Sequence, residues 1–345
     1  MKIFLESYFF YYIIIITTSI FLGHFISKKI KLLDKPGHRK IHKNPVPISG
    51  GISFIISFNI IFVLFLFSYA EYTYFLITIL TSINIIFIMG VLDDYINLNY
   101  KIRIFVSVIV YLFFISTPTV NSIFTIQNFL IDYIYLENFK SMIKLNYLHA
   151  TMFTIFSLLF FQFSTNMIDG INGLCLIYLL FINILLKTFQ LDIFLINQIN
   201  IYLIIFILIF LILNIQGKSF LGDAGVYCLS FLTSIVILTH YKLLIIDFLD
   251  IIIFSLIPSL DLLRLFLRRL IAKKSPFLAD KNHLHHRLLY KIGYYKTLSI
   301  YIFLFGVSSV YILLNFKFKL LFILAIFIVY FIMIYKTKRI QRLNK

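Results

Sequence analysis

The chain has 345 residues, 61% of them hydrophobic and only 13% charged, with a mean hydropathy of +0.99 and a formal net charge of +17. A soluble domain is closer to half apolar, so this composition excludes that class. Two cysteines in the whole sequence also exclude a disulfide framework or a Cys-rich metal site.

The apolar runs are continuous rather than alternating, and in hydrocarbon that selects helices over a barrel. The fold class expected is all-α, a polytopic membrane protein. Its spans lie near 8–26, 46–69, 72–92, 104–118, 147–165, 172–187, 199–215, 224–240, 243–262, 298–315 and 319–335. That makes about 11 transmembrane helices in a single multi-pass domain over 1–345, with no internal repeat and no appended soluble domain. The first run is about as long as a full span, and no small-residue cleavage site follows it, so it reads as a retained helix. Cys175 and Cys228 fall in apolar segments and read as small buried hydrophobes.

Lysine abundance means little here, because the bias toward Ile, Phe, Tyr, Asn and Lys is one that AT-rich coding also produces. The placement of the basic residues means more. Of the 31 Lys and Arg, 24 fall on the side that carries the 27–45, 93–103, 216–223 and 263–297 segments and the tail from Lys336, leaving 7 for the other side. The positive-inside rule makes the rich side cytoplasmic, with the N-terminus outside and the C-terminus inside. The longest loop on the outer side is 119–146.

In chain order, the first polar segment is the basic run from Asp34 to Pro47, which obeys the positive-inside rule and suits anionic lipid heads; no catalytic role is assigned to it. Asp93 and Asp94 then end the third span, where the negative end of the helix dipole disfavours carboxylates by about 0.3–1 kcal/mol each. Two adjacent acids also repel unless a cation relieves them. They read either as solvated turn residues or as a cation-dependent pair, with Lys101 and Arg103 next in line to pair with them or to hold phosphate.

Asn166-Met167-Ile168-Asp169-Gly170-Ile171-Asn172-Gly173 joins two spans. Asn166 and Asp169 share a face if helical and offer oxygens of the kind Mg²⁺ or Mn²⁺ prefers, against the plainer reading of a polar turn. Gly222-Asp223-Ala224-Gly225 opens the eighth span, where free N–H groups make a phosphate site and Asp223 is otherwise an N-cap. In the ninth span Asp261 lies near the cytoplasmic end and within reach of the site or of Arg264. Asp247 and Asp250 lie nearer the outer end, and ionisable residues in a span are the mark of a transporter, the competing class. In His283-Leu284-His285-His286-Arg287, a helix would put His283, His286 and Arg287 on one face and point His285 away. Such a face suits a pyrophosphate. Zinc is the competing reading, with no thiolate or nearby carboxylate in the sequence to complete the set.

Taken together and in order, from about Asp34 to Arg287, these motifs resemble the polyprenyl-phosphate N-acetylhexosamine-1-phosphate transferases, the glycosyltransferase 4 superfamily. The His283–Arg287 segment and the Arg39–Lys43 run are similar to its WecA/TagO-like branch rather than its MraY branch. Asn172 stands where many bacterial members carry a second Asp. The resemblance implies a multi-pass enzyme of the bacterial cytoplasmic (inner) membrane with its site facing the cytoplasm. The implied reaction takes N-acetylhexosamine-1-phosphate from a UDP-sugar, by default UDP-GlcNAc, to undecaprenyl phosphate, releases UMP and initiates a cell-envelope polysaccharide. Another UDP-amino sugar or phospho-MurNAc-pentapeptide is the nearest alternative donor. It also implies Mg²⁺ (or Mn²⁺) as cofactor, with Asn166 and Asp223 as metal ligands and Asp93 and Asp94 as catalytic residues. Asp169, Asn172, His283, His285, His286 and Arg287 are then the nucleotide- and sugar-binding residues. The partners expected are undecaprenyl phosphate, the UDP-N-acetyl sugar and membrane lipids, with no nucleic acid; a homodimer is left open.

Overall fold

Every apolar run expected to span folds as a helix: α1 (Lys2–Lys29), α2 (Gly50–Ser68), α3 (Thr73–Ile96), α4 (Tyr100–Ser116), α5 (Tyr147–Ile168), α6 (Leu174–Thr188), α7 (Phe194–Ile215), α8 (Gly222–Lys242), α9 (Phe248–Ile271), α11 (Tyr294–Leu313) and α12 (Lys319–Leu343). A short amphipathic helix not expected from the sequence, α10 (Leu284–Ile292), precedes α11. The structure is a computed structural model that describes residues 2–36, 44–117, 129–191, 193–273, 275 and 282–343. The expected basic run over 37–43 lies outside the described residues, as does the 276–281 stretch before the histidines.

Among the described residues, eight helices are long and apolar enough to cross a membrane. Of the other three long helices, α4 has 17 residues, α6 has 15, and α9 carries Asp250, Asp261 and Arg264 along its length. The chain is a multi-pass helical membrane protein.

Helix ends follow local chemistry. α3 stops at Asn97, whose left-handed conformation (φ +51°) lets its N–H bond back to the Asp93 carbonyl. Asn99 and Asn146 cap α4 and α5, their side chains accepting the N–H of Lys101 and His149. α9 opens with a reciprocal capping box between Asp247 and Asp250.

At the centre stands α8, buried continuously from Ala224 to Tyr241, with α2, α3, α5, α6 and α7 packed around it. A helix apolar on every side belongs in such a position. Close packing begins at its first turn. A Cβ on Gly90 of α3 would lie 2.3 Å from the Ala224 Cα, so only glycine lets the two helices meet there.

Small β elements, also unexpected, finish the two ends. Leu33–Asp34 (β1) pairs with Val46–Pro47 (β2), and Tyr133–Leu136 (β3) with Ser141–Lys144 (β4), both antiparallel. The second pair forms a hairpin inside the long 119–146 segment. It is seated by Tyr241, whose hydroxyl donates to the Tyr133 carbonyl and accepts the Tyr135 N–H. β2 runs on into a short parallel bridge between Ile48 and Phe220, which fixes the entry to α2 against the entry to α8.

Candidate active site

Adjacent residues on a helix point about 100° apart, so α3 delivers its two carboxylates in different directions. Asp93 turns inward and is buried. Its Oδ1 accepts the Leu98 N–H at 2.9 Å, while its Oδ2 accepts from Arg103 Nη1 at 2.9 Å and from the Tyr227 hydroxyl at 3.3 Å. The same hydroxyl accepts from Asn166 Nδ2 at 2.9 Å. Tyr227 thereby ties α3, α5 and α8 together at one point.

Asp94 reaches the start of α8. Its Oδ1 accepts the Asp223 N–H at 2.8 Å and its Oδ2 the Ala224 N–H at 3.2 Å. These first-turn amides carry the positive end of the helix dipole and favour a carboxylate. Free amides at this position suit a substrate phosphate, but here Asp94 takes them. Nor does Asp223 cap the helix: Leu221 holds the N-cap position, and Asp223 sits inside the first turn, its carboxyl sharing a hydrogen bond with that of Asp93. Gly222 adopts φ +74°, and a Cβ there would fall 2.7 Å from Asp94 Oδ2, so the turn depends on glycine.

Asp169 lies just past the end of α5, its N–H bonded to the Asn166 carbonyl at 3.2 Å. It is the C-cap residue, one place beyond the last helical residue Ile168. Burial, and then the charge of Asp94, push its carboxyl up to about 7. Asn172 follows. Its carbonyl accepts the Tyr294 hydroxyl at 3.0 Å, and its amide lies beside Gly217. Asn214, a residue sequence reasoning passed over, clamps the two site loops: its Oδ1 accepts the Gly173 N–H and its Nδ2 donates to the Ser219 carbonyl. The only sequence signal was an amide in the last turn of a helix whose other amides lie near its start.

The histidine segment differs most from expectation. α10 begins at Leu284, so His283 is its N-cap rather than a residue of the helix, with its ring 6.4 Å from that of His286. Nor does His285 point away. It is 1% exposed, and the missing Cβ of Gly170 would lie 2.2 Å from its Nε2. Burial, with the neighbouring His286 and His283, holds its pKa well below the usual histidine value, so it is neutral at pH 7. His286 is half-buried beside it, ring centroids 4.3 Å apart. Arg287 is buried, with Nη2 donating to Asn282 Oδ1 at 3.3 Å; its Nε and Nη1 have no hydrogen-bond partner among the described residues. Buried guanidinium donors of that kind call for an anion.

A carboxylate does reach these histidines after all. Asp261 of α9 accepts from His283 Nδ1 at 2.8 Å, and ligating atoms of Asp261, His283 and His285 all lie within 4.8 Å of one another. The same carboxylate also accepts from Arg264 Nη2 at 2.7 Å and the Tyr330 hydroxyl at 2.8 Å. With its charge matched by a guanidinium, it is a poor pole for a metal ion.

Among the described residues, one end of the helix bundle thus gathers Asp93, Asp94, Asp169 and Asp223 around a single paired guanidinium, with histidines and an under-satisfied arginine alongside. The model of glycosyl transferase family 4 matches residues 75–241, from α3 through α8. Over that segment the chain resembles the family. It is a sugar-phosphate transferase. It is 28% identical to an undecaprenyl-phosphate alpha-N-acetylglucosaminyl 1-phosphate transferase of Thermotoga maritima, over 94% of this chain and 96% of that protein. A probable undecaprenyl-phosphate N-acetylglucosaminyl 1-phosphate transferase of Bacillus subtilis is also 28% identical, over 83% of this chain and 78% of its own length. The Escherichia coli K12 undecaprenyl-phosphate alpha-N-acetylglucosaminyl 1-phosphate transferase is 27% identical, over 79% and 73%. The matched family segment contains all four clustered carboxylates, Asn166, Asn172 and Tyr227; it ends before Asp261 and the histidines.

Proposed function

We propose that this enzyme transfers N-acetylhexosamine-1-phosphate, from UDP-GlcNAc as the default donor, to undecaprenyl phosphate at the cytoplasmic face of a bacterial inner membrane. The product, undecaprenyl-diphospho-sugar, opens assembly of a cell-envelope polysaccharide, and the whole helical unit acts as one transferase domain. The observation that carries this reading is the convergence of Asp93, Asp94, Asp169 and Asp223 at one end of the bundle, with Arg103 as their paired cation.

That donor set fits a divalent cation: several carboxylate oxygens and the Asn166 amide, bearing more negative charge than the arginine offsets. Asp223 and Asn166 are the residues we assign to Mg²⁺ (or Mn²⁺), which when bound neutralises the phosphates that must approach one another. The protein's own groups do the rest. The acceptor phosphate has its second pKa at about 6, so at neutral pH it is largely a dianion, competent to attack the β-phosphorus of the donor directly. Its oxygen forms the new P–O bond as the bond to the bridging oxygen breaks, and UMP leaves with that oxygen. Asp94 is locked to the first turn of α8 and Asp93 to Arg103 and Tyr227, so the pair holds the local geometry and field rather than swinging to take a proton. Asp169 and Asn172 line the nucleotide side. His283, His285, His286 and Arg287 meet the pyrophosphate and sugar, Arg287 with its spare donors.

The test is UMP release by purified protein in detergent with undecaprenyl phosphate, Mg²⁺ and a panel of UDP-N-acetyl sugars, beside Asp223→Ala and EDTA samples. Release that needs the lipid, the metal and Asp223 supports the reading and names the sugar. Folded protein that releases no UMP from any donor sinks it.

A further inference from the structure

Asp261 sits 22 residues before His283, in a different helix, and every contact it makes bears on the histidine segment. Its Oδ2 accepts from His283 Nδ1 at 2.8 Å. Both of its oxygens accept the Leu284 N–H at 3.2 Å, the first amide of α10. Arg264 holds Oδ1 from one side at 2.7 Å and also donates to the Asn282 carbonyl at 2.7 Å, immediately before His283. Tyr330 of α12 donates to Oδ1 at 2.8 Å and accepts from Arg264 Nε at 2.7 Å. Three helices therefore contribute to one buried assembly whose output is the position of residues 282–284.

From this geometry we propose that Asp261, braced by Arg264 and Tyr330, is the positioning residue of the histidine segment. The inference rests on the transferase reading, in which that segment holds the donor pyrophosphate. Nδ1 of His283 is committed to the Asp261 carboxylate, so the ring meets a ligand through Nε2, in a tautomer and orientation set from outside the site. Anchoring the Leu284 amide sets where α10 begins, and so aims the next ring. Stacked 5.3 Å from His283, His285 is directed into the loop of Asp169 and Gly170, its Nε2 buried without a hydrogen-bond partner among the described residues. A buried polar atom of that kind, aimed at the carboxylate loop, waits for a ligand. Asp261 touches no substrate in this scheme; it acts only through the histidines.

A double-mutant cycle and a binding readout test this on the full-length protein in detergent. Asp261→Asn keeps the shape and removes the charge; His283→Ala removes the ring. Each is expected to lower kcat/KM for the UDP-sugar on the order of 10²-fold, the scale of a misplaced catalytic contact, with KM for undecaprenyl phosphate unchanged. Together they are expected to lose little more than either alone. Losses that multiply, to the order of 10⁴-fold, would show independent roles and overturn the proposal. Tyr330→Phe, which leaves the carboxylate in place, is expected to give a smaller loss in the same direction. UDP is expected to raise the Tm of the wild type but not of Asp261→Asn; an equal rise in both overturns the inference without any turnover. UDP stabilisation that is lost in the variant, in a protein that releases no UMP from any donor, would keep the positioning role and discard the transferase reading instead.

Discussion

The two ends of the helix bundle handle acidic residues in opposite ways. At the end opposite the site, Lys319 of α12 closes a cluster from within the chain. Its Nζ lies 2.8 Å from Asp250, 3.2 Å from Asp247 and 3.4 Å from Glu137, while Lys242 pairs with Asp132 at 2.7 Å. Asp247 and Asp250 also complete the α9 capping box. There the acids are structural, which accounts for the two residues that had kept a transporter in view. At the site end, four carboxylates face one paired arginine among the described residues. Acids a protein ties to its own lysines and to a capping box hold it together; acids gathered with fewer such partners are kept for something that arrives.

The sharpest way to break that contrast is to remove one acid from each end. Asp223→Asn is expected to cut UMP release on the order of 10²–10³-fold, the scale for losing one preorganised electrostatic contact. Its Tm should hold or rise, since repulsion among like charges is relieved. A Tm that falls in step with activity would make Asp223 structural and erase the contrast. At the other end, Lys319→Met strands buried carboxylates, a loss of about 3–5 kcal/mol in stability, with turnover per folded molecule unchanged. Pairing it with Asp247→Asn and Asp250→Asn should restore much of the Tm. If the triple variant melts as low as the single, burial rather than charge balance governs that end.

Gly170→Ala probes the contact between the carboxylate loop and the histidines. A methyl group there meets the His285 ring at 2.2 Å, so one of the two must move. We expect a loss of kcat/KM for the donor on the order of 10²-fold, with the Gly170→Ala/His285→Ala pair losing little more than His285→Ala alone. No loss on the single substitution would detach the histidines from the site.

The bundle was legible because bilayer thickness and backbone satisfaction leave little freedom: each apolar run became a helix close to where hydropathy put it. The acids Asp93, Asp94, Asp169 and Asp223 were legible because polar residues stand out in so apolar a chain. Direction was not. Nothing in the spacing says that α10 starts at Leu284, and that one boundary decides whether His285 faces the site or turns from it. The fate of the α8 amides was equally hidden, since Asp94 lies 129 residues away from the one it binds. Tyr227 and Asn214 read as ordinary members of apolar helices; their roles come from contacts across 61 and 41 residues. The β3–β4 hairpin went unread because its short strands depend on Tyr241, far along the chain.

The smallest effect separates stability from activity at a single carboxyl. In the folded protein Asp169 is raised from 3.8 to about 7. Between those values the folded state keeps a proton that the unfolded chain has lost, so the contribution to stability is present at low pH and disappears as pH rises through about 7. Donor binding runs the other way, because a carboxylate that meets a cation or a nucleotide must be ionised. In the absence of metal, Tm should therefore drift down from pH 5 to pH 8; in separate assays with Mg²⁺ present, kcat/KM for the donor should climb as pH rises and then level. The acceptor phosphate titrates near pH 6 and adds its own slope, so the comparison that counts is with Asp169→Asn. That variant should lose the drift in Tm and the part of the activity profile centred near 7, leaving the acceptor's limb alone. If both proteins trace the same two curves, Asp169 is ionised throughout, and the crowding of charge at the site end is weaker than its four carboxylates imply.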